Sequence, residues 1–242
     1  MLNLDDNGPG SLRQAVLDAN AHPGADVIRF AHGLHGTITL TGGQLDITDD
    51  LTIHGPGADR LAVSGNHAGR VFSISGGATV TIAGLTITDG RVVGGDGGGG
   101  ILNVGSTLTV ADDVLSDNQA VGVVGVVARG GAIKNQAGAT LLATDSLFSH
   151  NQTVGASGTN ANGGGINNFG STLTVSHSTF IANRSLGGGN GGTGNGGAIN
   201  SQQSATATVS HSTFLGNQAS AATAAGQAPA AASVILRALL LR

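Results

Sequence analysis

Three residues before a recurring Phe or Leu, the chain places Asp112, Asp145, His177 and His211, at a nearly constant spacing. Neighbouring strands lie ~4.8 Å apart, and a line of carboxylates and imidazoles at that spacing can hold a divalent cation. The same line can instead pair electrostatically, or simply face water at a polar corner. The polar corner is the reading adopted. Two acidic doublets, Asp49/Asp50 and Asp112/Asp113, are the other acid–base candidates. Glycoside hydrolysis needs two carboxylates at a defined separation. Adjacent residues on a strand point to opposite faces, so neither doublet makes that pair alone. A polysaccharide lyase would want Arg or Lys beside a carboxylate-bound cation. The single lysine is Lys134, and Arg91, Arg129 and Arg184 fall in Gly-rich segments.

Threonines offer a different chemistry. Thr-x-Thr recurs at Thr79/Thr81, Thr86/Thr88, Thr107/Thr109, Thr172/Thr174 and Thr206/Thr208. A flat face of regular threonines can match an ice or crystal lattice. The array is interrupted at Thr140/Leu142, and outward threonine is also ordinary strand chemistry.

The composition narrows the field. The 242 residues contain no Cys, Trp or Tyr, and all 14 acidic residues are Asp. There is therefore no disulfide framework and no thiolate metal site. Aromatic platforms for stacking sugars or bases are missing apart from Phe. A net charge of −4 gives no basic footprint for nucleic acid. The 43 glycines follow no period of three, which excludes collagen. The opening Met1-Leu2-Asn3-Leu4-Asp5-Asp6 lacks the basic and apolar regions of a signal peptide. No apolar run approaches the ~20 residues of a membrane span.

The candidates above depend on a repeat. Gly-Gly-x-Ile ends at Ile101, Ile133, Ile166 and Ile199, at spacings of 32, 33 and 33. Phe/Leu-x-x-Asn follows each time, at Leu115/Asn118, Phe148/Asn151, Phe180/Asn183 and Phe214/Asn217. Between the two lie Leu108-Thr-Val110, Leu141-Leu-Ala143, Leu173-Thr-Val175 and Ala207-Thr-Val209. These pieces are short, alternating and separated by Gly, Asn and Ser, which is a strand pattern. Three such strands bury no face alone, but coil stacked on coil they do. The spacing predicts a parallel β-helix, right-handed by the crossover rule. Leu115, Phe148, Phe180 and Phe214 form a core stack. Asn118, Asn151, Asn183 and Asn217 form a structural ladder of amides at one turn. A second ladder is Asn103, Asn135 and Asn168, closed by Ser201.

The N-terminal half has the same texture and shorter spacing, with strands expected at 37–40, 44–47, 51–53, 61–63, 71–74, 80–82 and 85–87. Residues 11–20 break the pattern. Leu12, Ala15, Val16 and Ala19 have helical spacing behind Ser11 as N-cap, which predicts a capping helix over the open end. Residues 219–242 read as an Ala-rich tail with an apolar end at 234–241, leaving 1–218 as one domain with regular coils over 98–218.

The pairing of Gly-Gly-Ala/Gly-Ile with Phe-x-x-Asn, once per coil, resembles the polymorphic outer-membrane protein family of bacteria. Gly8-Pro-Gly-Ser-Leu-Arg-Gln-Ala-Val16 and Ala25-Asp-Val-Ile-Arg-Phe30 look like the opening of related secreted β-helix proteins. The resemblance covers roughly 3–218. It implies a solenoid of the pectate-lyase kind, an extracellular or outer-surface location, and adhesion. No signal peptide and no translocator barrel are visible, so the chain reads as a passenger fragment or an orphan module. The expected function is a non-catalytic, adhesin-like scaffold with no cofactor, metal or nucleic acid. Its unknown surface partner, protein or glycan, is expected at the loops 119–129, 152–162 and 184–195. A β-helix lyase or hydrolase and an ice-binding protein are the alternatives.

Overall fold

The computed structural model describes residues 1–221. The expected tail lies outside them from residue 222 on, and with it the apolar 234–241.

Alternation decides the strands. In Thr107–Ala111 the even positions are buried and the odd ones face out, and Thr140–Thr144 and Thr172–Ser176 follow the same alternation. One complete coil runs Ile101–Val104, Thr107–Ala111, Val114–Ser116, Gln119–Val121 and Ala128–Arg129. Equivalent strands of successive coils pair in parallel and build five sheets of six, seven, seven, five and three strands, here sheets 1 to 5 in that order along the coil. The protein is a parallel β-helix. Along sheet 2 the register runs Asp26, Leu51, Val80, Leu108, Leu141, Leu173, Ala207.

Sheets 1 to 3 enclose the core. Val110, Ala143 and Val175 stack on its axis at 0% exposure, and Phe148 and Phe180 lie beside them. The coils lengthen along the rod. Equivalent positions are 28 apart in sequence at Gly90/Asn118 and 33 apart at Asn118/Asn151. The added chain goes into sheets 4 and 5. Each long coil leaves the ring after its ladder asparagine, runs out as an arm, and returns to the Gly-Gly pair. The pair is glycine because the ring closes there. Gly130 sits at φ +63°, and a Cβ on Gly131 would lie 2.1 Å from the Gly164 carbonyl oxygen of the next coil.

Two expectations need correcting. The segments 119–129, 152–162 and 184–195 are not loops throughout. Their roots are strands, Gln119–Val121 with Ala128–Arg129, Gln152–Val154 with Ala161–Asn162, and Arg184–Leu186 with Gly194–Asn195. Only the tips between them are irregular. Likewise the solenoid does not stop at 218, because Gln218–Ser220 pairs with Arg184–Leu186. Strands this short have no period to read; their partners in the next coil make them strands.

The helix spans Leu12–Ala21, and the Ser11 hydroxyl accepts from the Gln14 N–H. Leu12, Val16 and Ala19 are buried against the first coil. Asn20 donates to the Asp46 carbonyl and accepts from the Thr48 N–H, and Arg13 donates to the Gln44 and Gly43 carbonyls. The helix therefore covers the N-terminal end of the core, as its spacing predicts. No helix among the described residues is long and apolar enough to cross a membrane.

Candidate functional site

The ladder asparagines are fully occupied. The Asn151 Nδ2 donates to the Leu115 carbonyl and to the Asn183 Oδ1, at 2.8 and 2.9 Å. Its Oδ1 accepts from the Asn118 backbone N–H and Nδ2, both at 3.0 Å. Asn183 repeats the arrangement between Phe148, Asn151 and Asn217. All four asparagines are at most 6% exposed. These bonds run along the axis from coil to coil, so the column serves registry. The second ladder also forms. Asn103 donates to Asn135 at 2.8 Å, Asn135 to Asn168 at 2.9 Å, and Asn168 to the Ser201 hydroxyl at 3.2 Å.

The phenylalanine column stacks face to face. Phe148 and Phe180 have centroids 4.5 Å apart and tilted by 3°, and Phe180 and Phe214 are 4.9 Å apart and tilted by 6°. Leu115 pairs with Phe148 below them.

Asp112, Asp145, His177 and His211 do align, all of them exposed. Each stands at φ between 46° and 53°, the left-handed residue of one corner. His177 and His211 stack at 4.9 Å. Among the described residues no three His or Asp side chains gather as metal ligands. The column is a polar turn, which short polar side chains tolerate at positive φ.

The acidic doublets divide. Asp49 accepts from the Gly24 and Asp50 N–H groups, and Asp50 accepts from the Thr79 N–H. Asp113 points inward, opposite to exposed Asp112. It heads a third ladder that sequence reasoning missed. The Asp113 N–H donates to the Ser146 hydroxyl, the Ser146 N–H to Ser178, and the Ser178 N–H to Ser212, at 3.2 to 3.3 Å. The signal was present one residue beyond the Asp/His column, but its mixed identity hid it.

Asp113 fits this ladder poorly. One oxygen accepts from the Leu85 N–H at 2.7 Å, and the other is buried without a partner. Burial raises its pKa well above the usual carboxylate range; the Leu85 and Ala111 N–H groups oppose that and Asp112 adds to it. The unfolded chain ionises this group near pH 3.8, while the folded chain keeps it protonated to higher pH. Stability therefore falls as pH rises from the unfolded value through the folded one, and the penalty is absent below it. Asp113→Ser completes the serine ladder. It should stabilise the fold by about 1–3 kcal/mol at pH 7, the cost of a buried unmatched polar group. Urea melts at pH 7 and pH 3 check this. An equal gain at both would show that ionisation is not the cause.

The threonines form two outward columns on sheet 2. Thr79, Thr107, Thr140, Thr172 and Thr206 are one; Thr52, Thr81, Thr109, Thr174 and Thr208 are the other, interrupted by Leu142. Thr86 and Thr88 belong instead to sheet 3.

Two places carry unengaged polar groups. Beside the arms, a shallow open hollow of 410 Å³ is lined by His67, Arg91, Asp117, Gln119, His150 and Gln152. Its floor is an amide ladder in which Arg91 donates to Gln119 at 3.0 Å and Gln119 to Gln152 at 2.9 Å. At the root of the arms, on the outer face of sheet 1, Lys134 is only 3% exposed. Its ammonium lies 3.6 Å from Asp96, whose side chain is 72% exposed. The arginines expected in Gly-rich loops lie in strands instead. Arg129 lies 5.3 Å from the centre of the Phe169 ring, on the outer face of sheet 1. Arg91 and Arg184 begin strands of sheet 4.

No protein-family model matches the chain, and no curated protein matches it significantly. The resemblance to polymorphic outer-membrane proteins stands on the motif pair alone.

Proposed function

We propose that the protein is a non-catalytic scaffold displayed outside the cell, which presents its arm tips to a surface partner in the manner of an adhesin. The observation that carries this reading is the contrast within the arms. Their roots stack in register as sheets 4 and 5, while the tips at 122–127, 155–160 and 187–193, of six, six and seven residues, differ in sequence. Variable tips on a rigid frame are where recognition concentrates. The first tip also exposes Val123 and Val124, at 39% and 79%, beside Gly125. The ladder asparagines and inward-facing columns, by contrast, are taken up by the fold itself.

The arms are marginal to the core. Inside them sit only small side chains such as Ala120, Thr153, Ser185 and Ala161. Replacing the three tips with two-residue Asn-Gly turns should leave the circular dichroism unchanged and shift stability by less than about 1 kcal/mol. Beads coated with the full chain, tested on epithelial monolayers and mucin-coated plates, should lose their adhesion on this change. Adhesion that survives it would sink the reading.

A further inference from the structure

We infer that the cluster of Lys134, Arg129 and Arg70 at the root of the arms is a binding site for an oxyanion, a carboxylate or sulfate carried by an acidic glycan or free in solution. Three of the chain's ten lysines and arginines lie close enough there to act on one another. Arg70 is fixed by the Gly97 and Gly98 carbonyls and by Gln44, at 2.9, 2.9 and 2.6 Å. Gly98 in turn donates to the Arg129 carbonyl at 2.9 Å, so the turn that holds one arginine is tied to the other. Lys134 feels the repulsion of both arginines, and Asp96 is the carboxylate acting on it. Asp96 also acts on Arg70, ahead of Asp46.

The cluster is under-satisfied as it stands. Arg129 Nε is buried with no partner, and so is the Oδ1 of Asn167, the residue paired with Lys134 in the next coil. The Lys134 ammonium has only an ion pair at 3.6 Å, to Asp96, longer than a direct hydrogen bond. A buried cation so thinly paired, beside an unpartnered Arg129 Nε, is costly, and sites of this kind usually hold an ion or a ligand. An oxyanion seated between Lys134 and Arg129 would satisfy the charges. A sugar ring beside it would supply a hydroxyl donor for Asn167, which a bare sulfate lacks. The exposed Asp96 competes for the same ammonium and is free to swing into solvent.

The site is separate from the arm tips, so its failure and that of the adhesion reading are distinguishable. The test is calorimetric titration of the full chain with hexagalacturonate, sodium sulfate and neutral maltohexaose. The two anionic probes should bind and the neutral one should not. Lys134→Met keeps the buried stem and removes the charge; it should weaken binding at least ~10-fold, as loss of one partner of a buried charge pair does. Asp96→Asn, at an exposed position, should strengthen binding by ~3-fold or more. Hexagalacturonate binding ~10-fold tighter than sulfate identifies the glycan as the source, and equal affinities identify the free anion. Absence of binding by both anions overturns the assignment. So does unchanged affinity in Asp96→Asn, a variant that does not disturb the core.

Discussion

Truncating Phe180 to alanine is expected to cost about 3–5 kcal/mol, the largest loss from a single side chain in the stack. The ring is fully buried and sits between Phe148 and Phe214, each in face-to-face contact with it. The cavity cannot easily collapse, because its walls are strands pinned by pairing to coils above and below. Phe214→Ala should cost roughly half as much. Phe214 is only partly buried and has one ring neighbour among the described residues. A solenoid's stability is close to a sum of neighbouring-coil terms, so position in the stack should govern the cost. Guanidinium melts of the two variants measure the difference. Equal, near-zero effects would mean that the rings do not stack inside.

The second large effect belongs to Asn183→Ala. The change orphans the buried Asn151 N–H, takes one of two donors from the Phe148 carbonyl, which keeps the Ile181 N–H of the paired strand, and breaks the amide chain to Asn217. The orphaned group alone should cost about 1–3 kcal/mol. Asn217→Ala likewise orphans the Asn183 N–H and takes one donor from the Phe180 carbonyl, but at the last ladder step and a more exposed side chain. It should cost less. Asn183→Asp separates amide from charge. It keeps the acceptor for the Asn151 N–H but sets a buried carboxylate oxygen against the Phe148 carbonyl and the Asn217 Oδ1, so at pH 7 its cost should match or exceed that of alanine. An aspartate variant as stable as wild type at pH 7 would mean that the column does not donate along a buried axis.

What was legible in the sequence was whatever one residue type repeats at one place in the coil. Phe148, Phe180 and Phe214 announce an inward column because nothing but a large apolar group fills that place. Asn118 to Asn217 announce a ladder because a carboxamide repeated at one turn can donate and accept along the axis at every coil. The helix was legible because Ser11 and the spacing of Leu12, Val16 and Ala19 are local signals. The roots of the arms were not, since two- and three-residue strands of Gln, Ala and Gly exist only through their partners in the next coil. The serine ladder was concealed by Asp113 at its head. Lys134 stood out as the single lysine, but its burial depends on neighbours from other parts of the coil, Asp96, Arg129 and Arg70, which no pattern along the chain brings together.

The coil register has a mechanical consequence. Each long coil adds only ~4.8 Å to the axis of the rod. Successive ladder asparagines are nevertheless 32 to 34 apart in sequence. Extended at ~3.3–3.6 Å per residue, one coil pulled from the end releases roughly 110 Å of slack, more than twenty times its folded height. Under tension along the axis the coils would peel singly, each guarded by its own rows of strand bonds and one rung of each amide ladder. A rod so built yields in steps and keeps hold while it lengthens, as a tether between two moving surfaces must.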